Sequence, residues 1–277
     1  MTTEATLYGG PANRRVTVRD LQAAKDRGEK WAMLTSYDVL TARIFDEAGI
    51  PVLLVGDSVA NNVLGYDNTV PVTLQEMLPF VQAVSRGSSR ALVVADLPFG
   101  SYQASPAQAL ESSCLFMKQG GAQAVKLEGG RRIVTQVEEL VAAGVPVMGH
   151  IGLTPQSVNV LGGYRVQGRG DQADDLIRDA VALTEAGAFA IVLELVPADL
   201  AERITKEIAI PTVGIGAGVG TDAQVLVWQD MAGLNPEPGP KFLRRFADLR
   251  TELINATKEY AESVRDSTYP GEEHSYT

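Results

Sequence analysis

A (β/α)8 barrel with one additional helix at its amino end is the fold this sequence predicts, and three observations carry it. Eight short apolar runs recur along the 277 residues, about 20 to 45 residues apart. Most are followed by a stretch with helical periodicity, which implies parallel strands joined by helical crossovers. Several end in a charged or polar residue that no core demands, and the carboxyl ends of strands are where α/β folds keep their chemistry. Eight units at this length fit a closed barrel better than a doubly wound sheet. No linker or compositional shift marks a second domain, so residues 1–277 read as one domain with irregular tails at 1–15 and 265–277.

The elements follow in order. Thr17 can cap a helix running to Gly28, ahead of the repeat. Trp31-Ala-Met-Leu-Thr-Ser-Tyr37 is the first strand, with Asp38 just past it and a helix from Thr41 to Ala48 closed by Gly49. Val52-Leu-Leu-Val-Gly-Asp-Ser58 is the second: four apolar residues suit a strand buried on both faces, and Gly56 lets Asp57 and Ser58 emerge at its end. A polar loop from Asn61 to Pro71 leads to a helix from Thr73 to about Arg86. Ala91-Leu-Val-Val-Ala-Asp96 ends in a carboxylate, and Pro106 opens the helix after it, where a missing N–H costs little. Ala122-Gln-Ala-Val-Lys-Leu-Glu128 places Lys126 and Glu128 on one face, because strand side chains alternate. A helix from Ile133 to Ala143 leads to the strand Val145 to His150, and the Gly-rich segment 151–170 has the length of a substrate-covering loop. A helix from Asp171 to Ala186, the strand Phe189 to Glu194 and a helix from Ala198 to Ile208 continue the alternation. A short strand after Pro211, a last strand from Gln224 to Asp230 and a helix from Phe242 to Val264 complete it.

Composition narrows the function. The net charge of -10 and the absence of any long Lys/Arg run argue against nucleic acid or an anionic membrane surface as partner. No apolar run reaches the ~18 residues of a membrane span, and the polar start gives no expectation of a secretory leader. The one cysteine, Cys114, lies in a helix-like stretch, reads as a core thiol and fits a reducing cytoplasm.

In a barrel the strand ends converge, so Asp57, Ser58, Asp96, Lys126, Glu128, His150 and Glu194 become neighbours. Singly, an aspartate after a strand is more often a turn or cap residue. Glu194 alone could cap the next helix, Lys126 and Glu128 could form a structural pair, and His150 either orients a substrate or is a hydrogen-bonded structural histidine. Together, so many charges in one pocket call for a cation and a substrate to compensate them. With one cysteine and only His150 and His274, a zinc site is disfavoured, whereas carboxylates with water suit Mg²⁺. Such an ion would chelate an oxo-acid, polarise its carbonyl and stabilise an enolate, leaving a carboxylate to move a proton on the adjacent carbon. Gly214, Gly216, Gly218 and Gly220 read as turn and close-packing residues rather than a phosphate cradle, since no Lys or Arg follows nearby.

With those residues in view, the chain resembles the ketopantoate hydroxymethyltransferase family. The matching segments include Thr35-Ser-Tyr-Asp38, Gly56-Asp-Ser58, Ala95-Asp-Leu-Pro-Phe99, Val125-Lys-Leu-Glu-Gly-Gly130, Gly149-His-Ile-Gly-Leu-Thr-Pro-Gln156, Leu193-Glu194 and Gly214-Ile-Gly-Ala-Gly218, in order along residues 16–250. The resemblance implies that Asp57, Asp96 and Glu128 serve Mg²⁺, that Asp57, Ser58, Asp96 and Lys126 hold the oxo-acid, and that Glu194 is the proton-transferring base. It further implies 5,10-methylenetetrahydrofolate as one-carbon donor and a cytoplasmic homo-oligomer, a decamer in the usual case. The chain departs from the family pattern at Asp222-Ala-Gln224, where many members have Asp-Gly-Gln, and at Gln229-Asp230, where they have His-Asp. The rival readings are a carbon–carbon lyase or phosphonopyruvate-type mutase on a related barrel, and a barrel retained for binding alone.

Overall fold

The computed structural model describes residues 6–8, 14–236 and 239–276. Eight parallel strands close into a barrel in chain order: β1 (Trp31–Thr35), β2 (Val52–Val55), β3 (Leu92–Asp96), β4 (Ala124–Glu128), β5 (Val147–Gly152), β6 (Ala190–Glu194), β7 (Thr212–Ile215) and β8 (Ala223–Leu226). The barrel shuts where β8 pairs with β1, in the register Trp31↔Ala223 to Leu34↔Leu226. Helix α1 (Val18–Asp26) precedes the repeat, and α2 (Val39–Glu47), α3 (Leu74–Gly87), α4 (Pro106–Lys118), α5 (Val134–Ala142), α6 (Val158–Leu161), α7 (Gln172–Glu185) and α8 (Ala198–Glu207) lie between strands. Residues 1–227 form one compact unit and 228–277 a second, which carries α9 (Trp228–Met231) and α10 (Leu249–Arg265). None of the helices among the described residues is long and apolar enough to cross a membrane.

The residues explain why the elements start where they do. Asp38 accepts from the backbone N–H groups of Leu40 and Thr41 at 2.8 and 2.9 Å, so α2 begins directly behind β1. Thr73 and Glu76 form a reciprocal capping box on α3, and Ser105 caps α4 with Pro106 in its first turn. Inside the barrel, Met33, Val52, Leu54, Leu92, Val94, Ala124, Met148, Ala190, Val192, Val213 and Val225 pack into one apolar cluster. Leu21 and Ala24 of α1 join it fully buried, so the extra helix stops the amino end of the barrel with side chains and leaves only the carboxyl end as a mouth.

Asp46 fastens α2 to the start of β3. Its carboxylate accepts from the N–H groups of Ser89, Arg90 and Ala91 at 2.9, 3.1 and 2.7 Å. Burial pushes this carboxyl up, but the hydrogen bonds from Ser89, Ala91 and Arg90 outweigh it and hold it below its ordinary value. A depressed pKa stabilises the fold above the unfolded value, near ~4, and that contribution is lost as pH falls below it. Asp46→Ala is therefore expected to cost about 1–3 kcal/mol at pH 7, towards the low end because the carboxylate is partly solvated. Thermal melts at pH 7 and pH 3 check this: the gap between variant and wild type should shrink in acid, and an unchanged gap contradicts it.

Some boundaries differ from expectation. The last strand ends at Leu226 rather than Asp230, because β1 offers it four partners and β7 two, and a strand stops where its partners do. In the second unit, 242–248 are not helical, and α10 starts at Leu249 after Asp248, whose side chain accepts from Thr251 N–H. The segment expected as a polar loop after Asn61 contains part of a helical turn, Ala60–Leu64, and 151–170 contains the turn Pro155–Ser157 followed by α6. Cys114 is partly exposed rather than a core thiol. Gly218, at φ +77, lies so close to α8 that a Cβ would strike Ala198, and one at Gly220 would meet Glu202, in keeping with the packing role read for these glycines. The expectation of an irregular tail over 1–15 falls largely on residues 1–5 and 9–13, which lie outside the described residues; 265–277 includes a short turn, Glu272–His274.

Candidate functional site

Strand parity delivers the charged residues to the mouth. Leu92, Val94, Ala124, Met148, Ala190 and Val192 point into the barrel core. Two residues further along each strand, on the same face, stand Asp96 on β3, Lys126 and Glu128 on β4, His150 on β5 and Glu194 on β6. Asp57 follows β2 and donates its backbone N–H to Asp96 Oδ2 at 3.2 Å. Asp57, Asp96, Lys126, Glu128 and His150 are each no more than 5 % exposed. All seven residues singled out in the sequence therefore sit at the carboxyl end of the barrel, and five of them are linked by side-chain contacts. Lys126 Nζ lies 2.8 Å from Asp96 Oδ1 and 3.2 Å from His150 Nδ1. His150 Nε2 lies 3.2 Å from Glu194 Oε2, and its Nδ1 3.6 Å from Glu128 Oε1. The lysine's ion-pair partner is thus Asp96 across the β3–β4 register, not Glu128 on its own strand.

Electrostatics follow from burial. Four carboxylates face one ammonium. Burial lowers the affinity of Lys126 for its proton, yet Asp96, Glu128 and Asp57 reverse this and hold it firmly protonated. Burial pushes Asp96 up to about 7 against the pull of Lys126, and pushes Glu128 well above the carboxylate range. Glu194, its side chain 17 % exposed, is also pushed up to about 7 by burial. Burial, with Lys126 beside it, drives His150 well below its ordinary value, so its ring is neutral near pH 7. With Lys126 donating to Nδ1, the ring proton belongs on Nε2, facing Glu194.

Ser58 is reached from behind: Tyr37, 2 % exposed, meets its Oγ at 2.7 Å. At Glu194 the chain is held by Gly152, at φ +90, where a Cβ would collide with the Glu194 carbonyl oxygen, and by Leu195, whose φ of 48 is rare for a side chain with a branch. Leu195 N–H donates to Ile215 O and its carbonyl accepts from Gln167 N–H, both at 2.9 Å, which ties the long loop to the end of β6.

One central residue was not singled out in the sequence. Gln156 is 4 % exposed. Its Nε2 donates to Asp57 Oδ2 and to Leu97 O, each at 2.9 Å, and its backbone N–H donates to Glu128 Oε2 at 3.0 Å. Tyr102, also buried, donates its hydroxyl to Gln156 Oε1 at 2.8 Å and accepts from Glu128 N–H at 3.1 Å. Thr-Pro-Gln reads as ordinary turn sequence, and only the fold shows where the amide lands.

The donor set fits a hard divalent cation. Glu128 Oε1 and His150 Nε2 are buried without a well-aligned hydrogen bond among the described residues, whereas Asp96 Oδ1 has the Lys126 ammonium at 2.8 Å. With four carboxylates facing that one ammonium, Glu128 Oε1 goes unfilled at considerable cost unless a further cation meets it. Among the described residues no three His, Cys, Asp or Glu side chains converge closely enough to hold an ion by themselves. Magnesium does not require that, since it commonly takes one or two protein carboxylates and fills the remainder with water and substrate oxygens. A cavity of about 300 Å³, bordered by Phe99, Tyr102, Arg132 and Gln136, reaches Glu128 and Gln156 from outside.

A family model described as ketopantoate hydroxymethyltransferase matches residues 15–272. The 3-methyl-2-oxobutanoate hydroxymethyltransferase of Thermobifida fusca (strain YX) is 66 % identical over 271 residues, covering 98 % of this chain and 96 % of its own. The same enzyme of Streptomyces coelicolor (strain ATCC BAA-471 / A3(2) / M145) is 62 % identical over 270 residues, covering 97 % of this chain and 92 % of its own. Among solved structures, a phosphonopyruvate hydrolase in complex with oxalate and Mg²⁺ aligns with TM-score 0.60 at 14 % identity, over 93 % of this chain and 92 % of that one. A 2,3-dimethylmalate lyase, a PEP mutase/isocitrate lyase superfamily member, aligns with TM-score 0.57 at 19 % identity, over 94 % and 91 %. At such identities the structural likeness speaks for the barrel fold alone.

Proposed function

The chain belongs to the ketopantoate hydroxymethyltransferase family, and on that premise we propose that it transfers a hydroxymethyl group from 5,10-methylenetetrahydrofolate to 3-methyl-2-oxobutanoate, giving ketopantoate for pantothenate synthesis. The observation that carries the chemistry is the line Asp96–Lys126–His150–Glu194, which sets an anion-binding ammonium one imidazole ring away from a carboxylate with a pKa of about 7.

Lys126 and the Ser58 hydroxyl hold the substrate carboxylate and oxo groups, with Tyr37 fixing the serine. Asp57 and Asp96, with Glu128 directly or through water, are the residues that would hold Mg²⁺. Bound there, the ion would chelate the oxo-acid and draw electron density from its C2 carbonyl, which acidifies the proton on C3. Glu194 takes that proton; its basicity, unlike that of the other three carboxylates, is not drawn off by a cation. His150, neutral, places its Nε2 3.2 Å from Glu194 Oε2, beside the base without competing for the proton. C3 then forms its new bond to the methylene carbon of the folate as that carbon's two bonds to nitrogen break; water supplies the hydroxyl oxygen, and the nitrogens take up the C3 proton and one from water, which releases tetrahydrofolate.

The experiment that tests the proton step is exchange of the C3 proton of 3-methyl-2-oxobutanoate in deuterated water, followed by proton NMR with Mg²⁺ and without folate. Exchange that stops on chelation of the metal is expected; no exchange by folded wild-type protein sinks the assignment. Lys126→Met is expected to weaken oxo-acid binding by about 1.5–3 kcal/mol, the worth of a charge-assisted hydrogen bond. Titration calorimetry reads it directly, and wild-type affinity would reduce Lys126 to a structural partner of Asp96.

The family premise also carries a cytoplasmic homo-oligomer, a decamer by the resemblance. Leu40 and Ile44, 64 % and 59 % exposed one turn apart on α2, support an apolar contact between copies. Light scattering at micromolar concentration should return a multiple of the chain mass, and a monomer would contradict this.

A further inference from the structure

We infer that Gln156, clamped by Tyr102, is the positioning residue that fixes the spacing of Asp57 and Glu128 for a divalent cation. The inference rests on the reading that these carboxylates serve Mg²⁺. The bond count argues for it. A primary amide offers two N–H donors and one carbonyl oxygen, and here both donations are made at 2.9 Å, to Asp57 Oδ2 and Leu97 O, while the oxygen accepts from Tyr102 at 2.8 Å. The backbone N–H of the same residue takes Glu128 Oε2 at 3.0 Å. One residue therefore fastens one oxygen on each of two like-charged side chains that would otherwise repel, and Glu128 Oε1 is left without a hydrogen bond.

Tyr102 completes the clamp. Its oxygen accepts from Glu128 N–H, and its one proton lies between Gln156 Oε1 at 2.8 Å and Glu128 O at 3.0 Å, so the backbone and the side chain of Glu128 are referenced to the same tyrosine–glutamine pair. From the segment after β5, the Gln156 side chain reaches the ends of β2 and β3 and its backbone N–H reaches the end of β4, three different strand ends, each held by a polar bond. A tie needed only for stability could be apolar at this burial, and a buried, fully satisfied amide is the costlier choice unless the oxygens themselves must be placed.

The test is titration of Mn²⁺, followed by its paramagnetic resonance spectrum, into wild type, Gln156→Met and Tyr102→Phe without substrate. Partners that orient metal ligands typically contribute about 10- to 100-fold in affinity, and Gln156→Met is expected to lose that much. Tyr102→Phe should shift in the same direction by less, with some loss of melting temperature because its hydroxyl is buried, and it decides the matter if Gln156→Met does not fold. Wild-type affinity and spectrum in a folded variant overturn the inference while leaving the metal reading intact. Weakening that appears only in step with lost thermal stability also overturns it, in favour of a structural tie. Wild-type protein that binds no Mn²⁺ overturns the metal reading and this inference together.

Discussion

Glu194→Gln is expected to bind Mg²⁺ and 3-methyl-2-oxobutanoate as the wild type does and to exchange the C3 proton about 10²- to 10⁴-fold more slowly, the usual worth of a positioned general base. The substitution keeps size and hydrogen bonding and removes only the capacity to accept a proton. The pH profile gives an independent reading. Burial raises the Glu194 carboxyl to about 7, against the opposing pull of Lys126, and a base acts only when ionised. Exchange by wild type should therefore climb as pH rises through about 7 and level off above it, and the variant should lack that limb. Linkage adds a sign: an acid whose folded pKa exceeds its unfolded value of about 4.3 contributes stability that is whole below that value and is lost as pH rises through the folded pKa. Glu194→Gln should accordingly lose less stability than wild type between about pH 4 and 8. Wild-type exchange in a folded variant would move the base elsewhere, with His150, 3.2 Å away, the next residue to replace.

Asp57→Ala and Asp96→Ala are expected to abolish magnesium-dependent binding of the oxo-acid. The loss should exceed the roughly 10- to 100-fold that removing an outer partner of a metal ligand costs. The two variants differ in what they leave behind. Without Asp96, Lys126 loses its partner at 2.8 Å in a buried site, so this variant should also be the less stable of the pair. Removing Asp57 instead relieves repulsion on Asp96 while leaving one buried N–H of Gln156 without its acceptor, so its loss of stability should be the smaller of the two. Calorimetric titration of Mg²⁺ and oxo-acid together checks both, and unchanged titration in either variant removes that residue from the metal set.

Much of this is legible in the sequence. The strands of a parallel barrel are buried on both faces, so Val52–Val55 and Leu92–Ala95 announce themselves as apolar runs, and alternation then assigns Asp96, Lys126, Glu128 and Glu194 to a single interior face. Parity could not say which neighbour a charge meets. Lys126 shares a strand with Glu128 but pairs with Asp96, because the barrel register sets those two residues side by side. Gln156 and Tyr102 were hidden for a different reason: both lie in irregular segments beyond strand ends, where no periodicity tells which way a side chain turns. The end of β8 was overrun because Val227 and Trp228 continue an apolar pattern that the neighbouring strands do not extend to meet. The periodicity of 242–248 suggests an earlier start for α10 than the cap at Asp248 allows.

Incubation of the wild-type protein with 3-methyl-2-oxobutanoate, 5,10-methylenetetrahydrofolate and Mg²⁺, with ketopantoate followed by proton NMR, bears most directly on the whole reading. Ketopantoate should accumulate in step with tetrahydrofolate release, and omission of the folate should stop it while C3 exchange continues. C3 exchange with no ketopantoate formed, under conditions where the folate remains intact, would mean that this mouth moves a proton but transfers no hydroxymethyl group, and would contradict the proposed activity.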